Sequence, residues 1–130
     1  MKQEEFNELF RQRTKKLALT IIKITSPLKY SDALGVIRKQ LIRASTSVAS
    51  NFRAVCRSRS DREKFSKLCI VVEEADETPF WIEMIIAGEF LAKEEMSDIE
   101  QEADEILKVM SAYKKRLYDD LNKSPDHLIT

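Results

Sequence analysis

Four stretches of this chain place side chains of one kind alternately three and four positions apart, the spacing of a helix that buries one face. The first runs Phe10, Thr14, Leu17, Ile21, Ile24 and Leu28, and the second Leu34, Ile37, Leu41, Ala44, Val48, Asn51 and Val55. The third is Phe65, Leu68, Val72, Ala75, Pro79, Ile82 and Ile86. The fourth is Ile99, Ala103, Ile106, Met110, Tyr113 and Leu117, with Leu121 one turn beyond. Two glycines and three prolines in 130 residues leave too few turns for a β sandwich or barrel. The expected fold is all-α, an antiparallel up-down-up-down four-helix bundle. Residues 1–130 read as a single domain, with residues 122–130 a frayed polar tail.

Local chemistry proposes the boundaries. Ser60 with Glu63, and Ser97 with Glu100, fit the pattern in which a hydroxyl and a carboxylate satisfy the free amides of a helix start. Ser31 or Asp32 caps the second helix, and Ser26-Pro27 ends the first. Gly88 suits the left-handed residue that closes the third. Pro79 removes one backbone bond inside that helix and frees the Ala75 carbonyl. Leu9, Ile22, Ile70, Val71, Trp81, Ile85 and Phe90 fall outside the four seams. They form either an interface through which the chain associates with itself, the reading preferred here, or a wider intramolecular core.

Charge is neutral in total and segregated along the chain. Residues 38–67 hold nine Lys/Arg against two Asp/Glu, whereas residues 68–105 hold one Lys against thirteen Asp/Glu. The basic stretch is the candidate site, with Arg43 on the second helix and Arg53, Arg57, Arg59, Arg62 and Lys64 around the junction with the third. Guanidinium groups match phosphate oxygens, so RNA or DNA is one partner for them, with Ser58 and Ser60 adding hydroxyls. The acidic stretch, within the chain or on a second copy, is the other. Asn51 stands in an apolar seam, as a residue that fixes register or as a contact to a partner.

Catalytic chemistry is poorly provided for. The only histidine, His127, lies in the tail, and no glycine-rich loop is present to cradle phosphate. Glu73, Glu74, Asp76 and Glu77 point in different directions on a helix and read as a solvated face rather than a metal site. No enzyme activity, cofactor or metal is expected, and no small-molecule ligand is specified. Cys56 and Cys69 are two in number, as buried thiols or as a disulfide. With no apolar leader and no apolar run of about 20 residues, a cytoplasmic protein without a membrane span is expected.

The run Gln40-Leu-Ile-Arg-Ala-Ser-Thr-Ser-Val-Ala-Ser-Asn51 carries a resemblance, together with Arg57-Ser-Arg-Ser-Asp-Arg-Glu-Lys-Phe65 and Glu74-Ala-Asp-Glu-Thr-Pro-Phe-Trp81. It resembles the bacterial four helix bundle protein family, which includes proteins encoded by intervening sequences of 23S ribosomal RNA genes. It is also similar to the accessory variability proteins of diversity-generating retroelements. The resemblance spans roughly Phe6 to Leu121 and implies an antiparallel bundle assembled as a ring-like homopentamer. For the retroelement type it further implies contact with nucleic acid and a reverse transcriptase. After Asn51 the family commonly continues Ile-Ala-Glu-Gly, where this chain reads Phe52-Arg-Ala-Val55.

Overall fold

The computed structural model describes residues 1–123, which form four antiparallel helices: α1 (Gln3–Thr25), α2 (Asp32–Cys56), α3 (Asp61–Ala87) and α4 (Lys93–Asn122). This is the all-α four-helix bundle that the spacing predicts. Helices α1 and α2, α2 and α3, and α3 and α4 pack along their lengths, whereas α1 meets α4 only sparsely. The core seam of α2 is Leu34, Leu41, Ala44, Val48 and Val55, and that of α4 contains Ile99, Ala103, Ile106, Met110, Tyr113, Leu117 and Leu121. The α4 seam follows the sequence reading, and the α2 seam does except that Ile37 and Asn51 are only half-buried. Each fully buried Leu, Ile or Phe contributes on the order of 1.5–3 kcal/mol, so these seams dominate the stability.

Helix α3 turns a different stripe inward. Its buried residues are Leu68, Val71, Ala75, Thr78, Ile82 and Ile85, while Val72, Pro79 and Ile86 lie at the rim. Val71 and Ile85 are fully enclosed (0% exposed) and therefore belong to the intramolecular core, not to a surface for self-association. Both stripes are apolar, so periodicity alone did not choose between them. Thr78 enters the core because its hydroxyl donates to the Glu74 carbonyl at 2.8 Å. Thr14 and Thr25 hide their hydroxyls the same way, on Phe10 and Ile21 of their own helix. Helix α3 continues through Pro79.

A similar shift turns Phe52, not Asn51, into the core near the end of α2. The Phe52 ring meets Phe6 and Phe10 edge-on, and Phe6 meets Tyr113, forming an aromatic cluster near the start of α1. Asn51 is half-buried, and its amide donates to the Ser47 carbonyl and hydroxyl one turn back. Its bonds are therefore made to its own helix rather than across the bundle.

The caps divide into those that the sequence located and those it did not. Ser31 accepts from the Leu34 amide and Ser60 from the Glu63 amide, each at 3.1 Å. Helix α1 ends at Thr25, just before Ser26-Pro27, and Arg38 donates to the Thr25 and Leu28 carbonyls left open there. Ser97 caps nothing, because α4 begins four residues earlier at Lys93. Buried Leu91 pins the approach, and Glu94 and Glu95 favour the helix start electrostatically. Gly88 is not the left-handed residue; Glu89 is, at φ 61°. The Glu89 amide donates to Ile86 and the Phe90 amide to Ile85, each at 3.0 Å, which closes α3. Gly88 has a separate reason to be small, since a Cβ there would lie 2.6 Å from the Phe90 ring.

Asn122 is the last residue of α4, so the helix runs one residue into the expected tail, and the rest of that tail with His127 lies outside the described residues. Cys56 and Cys69 are free, half-buried thiols, and no disulfide joins them. Among the described residues no helix is long and apolar enough to cross a membrane.

Candidate functional site

The basic stretch spans most of α2, a tight connection and the first two turns of α3. Folding divides it into parts that face different neighbours. Arg53 and Arg57 are one turn apart on α2 and look towards α1, where Arg11 and Lys15 are likewise one turn apart. These four cations line a groove of about 490 Å³ whose floor includes Ala18, Ile22 and Ala49. Neither Arg53 nor Arg57 makes an ion pair among the described residues. Arg11 is held by Glu8 at 2.7 Å.

The remaining candidates lie elsewhere. Arg59 is exposed on the connection and stands 3.8 Å from Glu63. Arg62 occupies the first turn of α3. Lys64 lines a separate recess at the end of the bundle with Asp61, Tyr113, Arg116 and Asp120, a mixture of both charges. Burial pushes the Tyr113 hydroxyl above its ordinary range there. The Ser58 hydroxyl donates to the Ala54 carbonyl and the Ser60 oxygen caps α3, so both first serve the backbone of the junction.

Arg43 turns the other way, towards α3. Its guanidinium bridges Glu74 and Glu77, each at 2.6 Å, and the Trp81 ring nitrogen donates to Glu77 at 2.9 Å. The Trp81 bond and then Arg43 hold the Glu77 carboxyl below the usual glutamate range. Those two carboxylates hold Arg43 protonated more firmly in return, Glu77 more than Glu74. Arg43 is thus engaged within the chain, as pairing between the basic and acidic stretches requires. Two of the four clustered carboxylates are consumed by it. Among the described residues no three His, Cys, Asp or Glu side chains are placed to hold a metal ion.

One further bridge ties the acidic stretch to the other flank. Arg13 of α1 reaches Glu102 at 2.6 Å and Glu105 at 3.0 Å across the sparse α1–α4 seam. These contacts raise its pKa against the opposing effect of partial burial. Of the thirteen acidic residues between 68 and 105, only Glu74, Glu77, Glu102 and Glu105 take part in ion pairs among the described residues. The others leave an acidic outer surface on α3 and α4. On α4 it includes Glu100 and Asp104, which line a shallow recess with Ser97, Gln101 and Lys108.

Sequence reasoning missed Arg11, Arg13 and Lys15, because the charge count drew attention to residues 38–67. Their signal was present: Arg11 and Lys15 are four residues apart and off the seam of α1, the same spacing as Arg53 and Arg57.

Comparison with known proteins bears on the whole arrangement. The model of a family described as 23S rRNA-intervening sequence protein matches residues 7–112, which include α2, α3, most of α1, the first two thirds of α4 and both charged stretches. A 1.70 Å crystal structure from Bacteroides thetaiotaomicron, described as a protein with unknown function from the S23 ribosomal protein family, is also similar. It is 27% identical over 84% of this chain and 97% of its own, with a TM-score of 0.76. A search of curated proteins gave no match.

Proposed function

The chain belongs to the 23S rRNA-intervening sequence protein family, and from that premise we propose a non-enzymatic role as a homo-oligomeric scaffold or assembly module. The ring-like pentamer implied by the resemblance is the form we favour. One observation carries this reading: the opposite charges segregated along the sequence stay largely apart after folding. Among the described residues, only Arg13 and Arg43 bring the acidic stretch into ion pairs with the other half of the bundle. Large apolar side chains also remain at the surface, among them Leu19 at 45% exposure and Phe80 at 49%. A second copy satisfies both needs at once. The test is the molar mass of the purified chain at micromolar concentration. A multiple of the single-chain mass is expected, and a strictly monomeric species ends the reading.

A second reading has its own support. Arg53 and Arg57, without ion pairs among the described residues and lining an open groove, are suited to the phosphates of RNA or DNA, with Arg59, Arg62 and Lys64 extending the contact around the junction. It predicts binding that weakens steeply with salt and falls across all sequences when Arg57 and Arg59 become alanine. No binding at about 50 mM salt removes it.

A further inference from the structure

The cations of the groove belong to α1 and α2, whereas the acidic outer surface belongs to α3 and α4, so the two charges sit on different helices of the bundle. Symmetric pairing of two copies through the α1–α2 groove would set Arg11, Lys15, Arg53 and Arg57 against the same four residues. Such like-charge juxtaposition is costly. Pairing the acidic surface with itself meets the same objection. The arrangement that satisfies both places the groove of one copy against the acidic surface of the next. That is a head-to-tail contact, which repeats and closes into a ring when the rotation permits.

We infer that the α1–α2 groove is the seat for the acidic outer face of α4 from a second copy of this chain, with Arg53 and Arg57 meeting Glu100 and Asp104. The inference rests on the assembly reading above and names the surfaces that carry it. The spacing matches: each pair is separated by four residues, a rise of about 6 Å along its helix. Neither pair makes an ion pair among the described residues. Beyond the cationic end the groove continues over Ala18, Ala49 and Ser50, small side chains that leave room for a helix, and over Leu19 and Ile22. Lys108 sits at the edge of the acidic recess, and Glu8 holds Arg11 at the edge of the groove, so the central contact falls to the two matched pairs. The occupant is a second copy because the chain itself carries the complementary surface.

The experiment uses the full chain, freed of nucleic acid by nuclease, with molar mass followed by sedimentation at low salt. Three variants are compared: R53E/R57E, E100K/D104K, and the chain carrying all four changes. Circular dichroism checks that each keeps its helix content. Each double reversal should weaken self-association about a hundredfold, and the fourfold exchange should restore it. If a reversed chain fails to fold, the neutral R53Q/R57Q variant replaces it, with a loss of about tenfold expected and unchanged assembly counting against the interface. A monomeric unmodified chain overturns the assembly reading itself. An oligomeric unmodified chain whose double reversals assemble equally well overturns this interface and leaves assembly standing. Dissociation without recovery in the fourfold exchange overturns the pairing of these two faces. Should R53E/R57E still assemble but lose binding to a single-stranded RNA oligonucleotide, the groove belongs to nucleic acid and the inference falls.

Discussion

Glu89 holds a φ of 61°, a region that costs a side-chain-bearing residue roughly 1 kcal/mol or more and glycine almost nothing. Its neighbour Gly88 has an ordinary φ of −77° but no room for a Cβ. The two residues therefore respond in opposite ways. Glu89→Gly should stabilise the chain by about 0.5 kcal/mol, since glycine's greater freedom in the unfolded chain offsets part of the gain. Gly88→Ala should destabilise it by about 1 kcal/mol as the Phe90 ring is displaced. Urea denaturation of both variants measures the difference. The same scale governs Glu77, whose carboxyl is held low by Trp81 and Arg43. A carboxyl with a lowered folded pKa adds stability above its unfolded value, near 4.3, and loses it as pH falls through the folded value. The pair is near the surface, so the contribution is about 0.5 kcal/mol. Glu77→Gln should be less stable than the parent at pH 7, with a smaller difference at pH 3, as checked by urea midpoints at both values. An unchanged difference at both pH values would contradict this account of Glu77.

At the scale of the helix, α3 offers two apolar stripes and the structure selects the one containing Val71 and Ile85. Ile85→Ala should cost about 3 kcal/mol and Ile86→Ala about 1 kcal/mol, because only the first opens a cavity in the enclosed core. Equal losses on thermal or chemical unfolding would mean that the other stripe faces inward. The seams of α2 and α4 were readable in the sequence because polar residues occupy their outer faces. That of α3 was not, because Val72 and Ile86 compete with Val71 and Ile85, and the polar Thr78 hides its hydroxyl on Glu74. Start signals were legible where a hydroxyl does the capping, as at Ser31 and Ser60. The start of α4 was not, since Ala92 has no side chain to signal it. At the candidate site, the arginines of the junction were visible as a run of charge. Their division between a groove, a mixed recess and an intrachain bridge depends on which neighbour each turn of α2 and α3 faces. Contacts between helices supply that, and the spacing of charges alone does not.

For the whole molecule, the distribution of charge is the property that asks for a partner. With Arg13 and Arg43 the only bridges to the acidic stretch among the described residues, the cationic surface and the acidic surface stay distinct. Contacts between such sides are screened by salt, because the Debye length falls from about 10 Å at 0.1 M to about 3 Å at 1 M. Apolar contacts between copies would instead persist or strengthen in high salt of a structure-making kind. The central claim is that complementary charged faces join copies of this chain. Sedimentation equilibrium at about 0.1 M and about 1 M sodium chloride, spanning that range of screening, tests it most directly. A multiple of the single-chain mass at the lower salt that dissociates at the higher is the predicted result. A mass that is monomeric at both, or oligomeric and indifferent to salt, contradicts it.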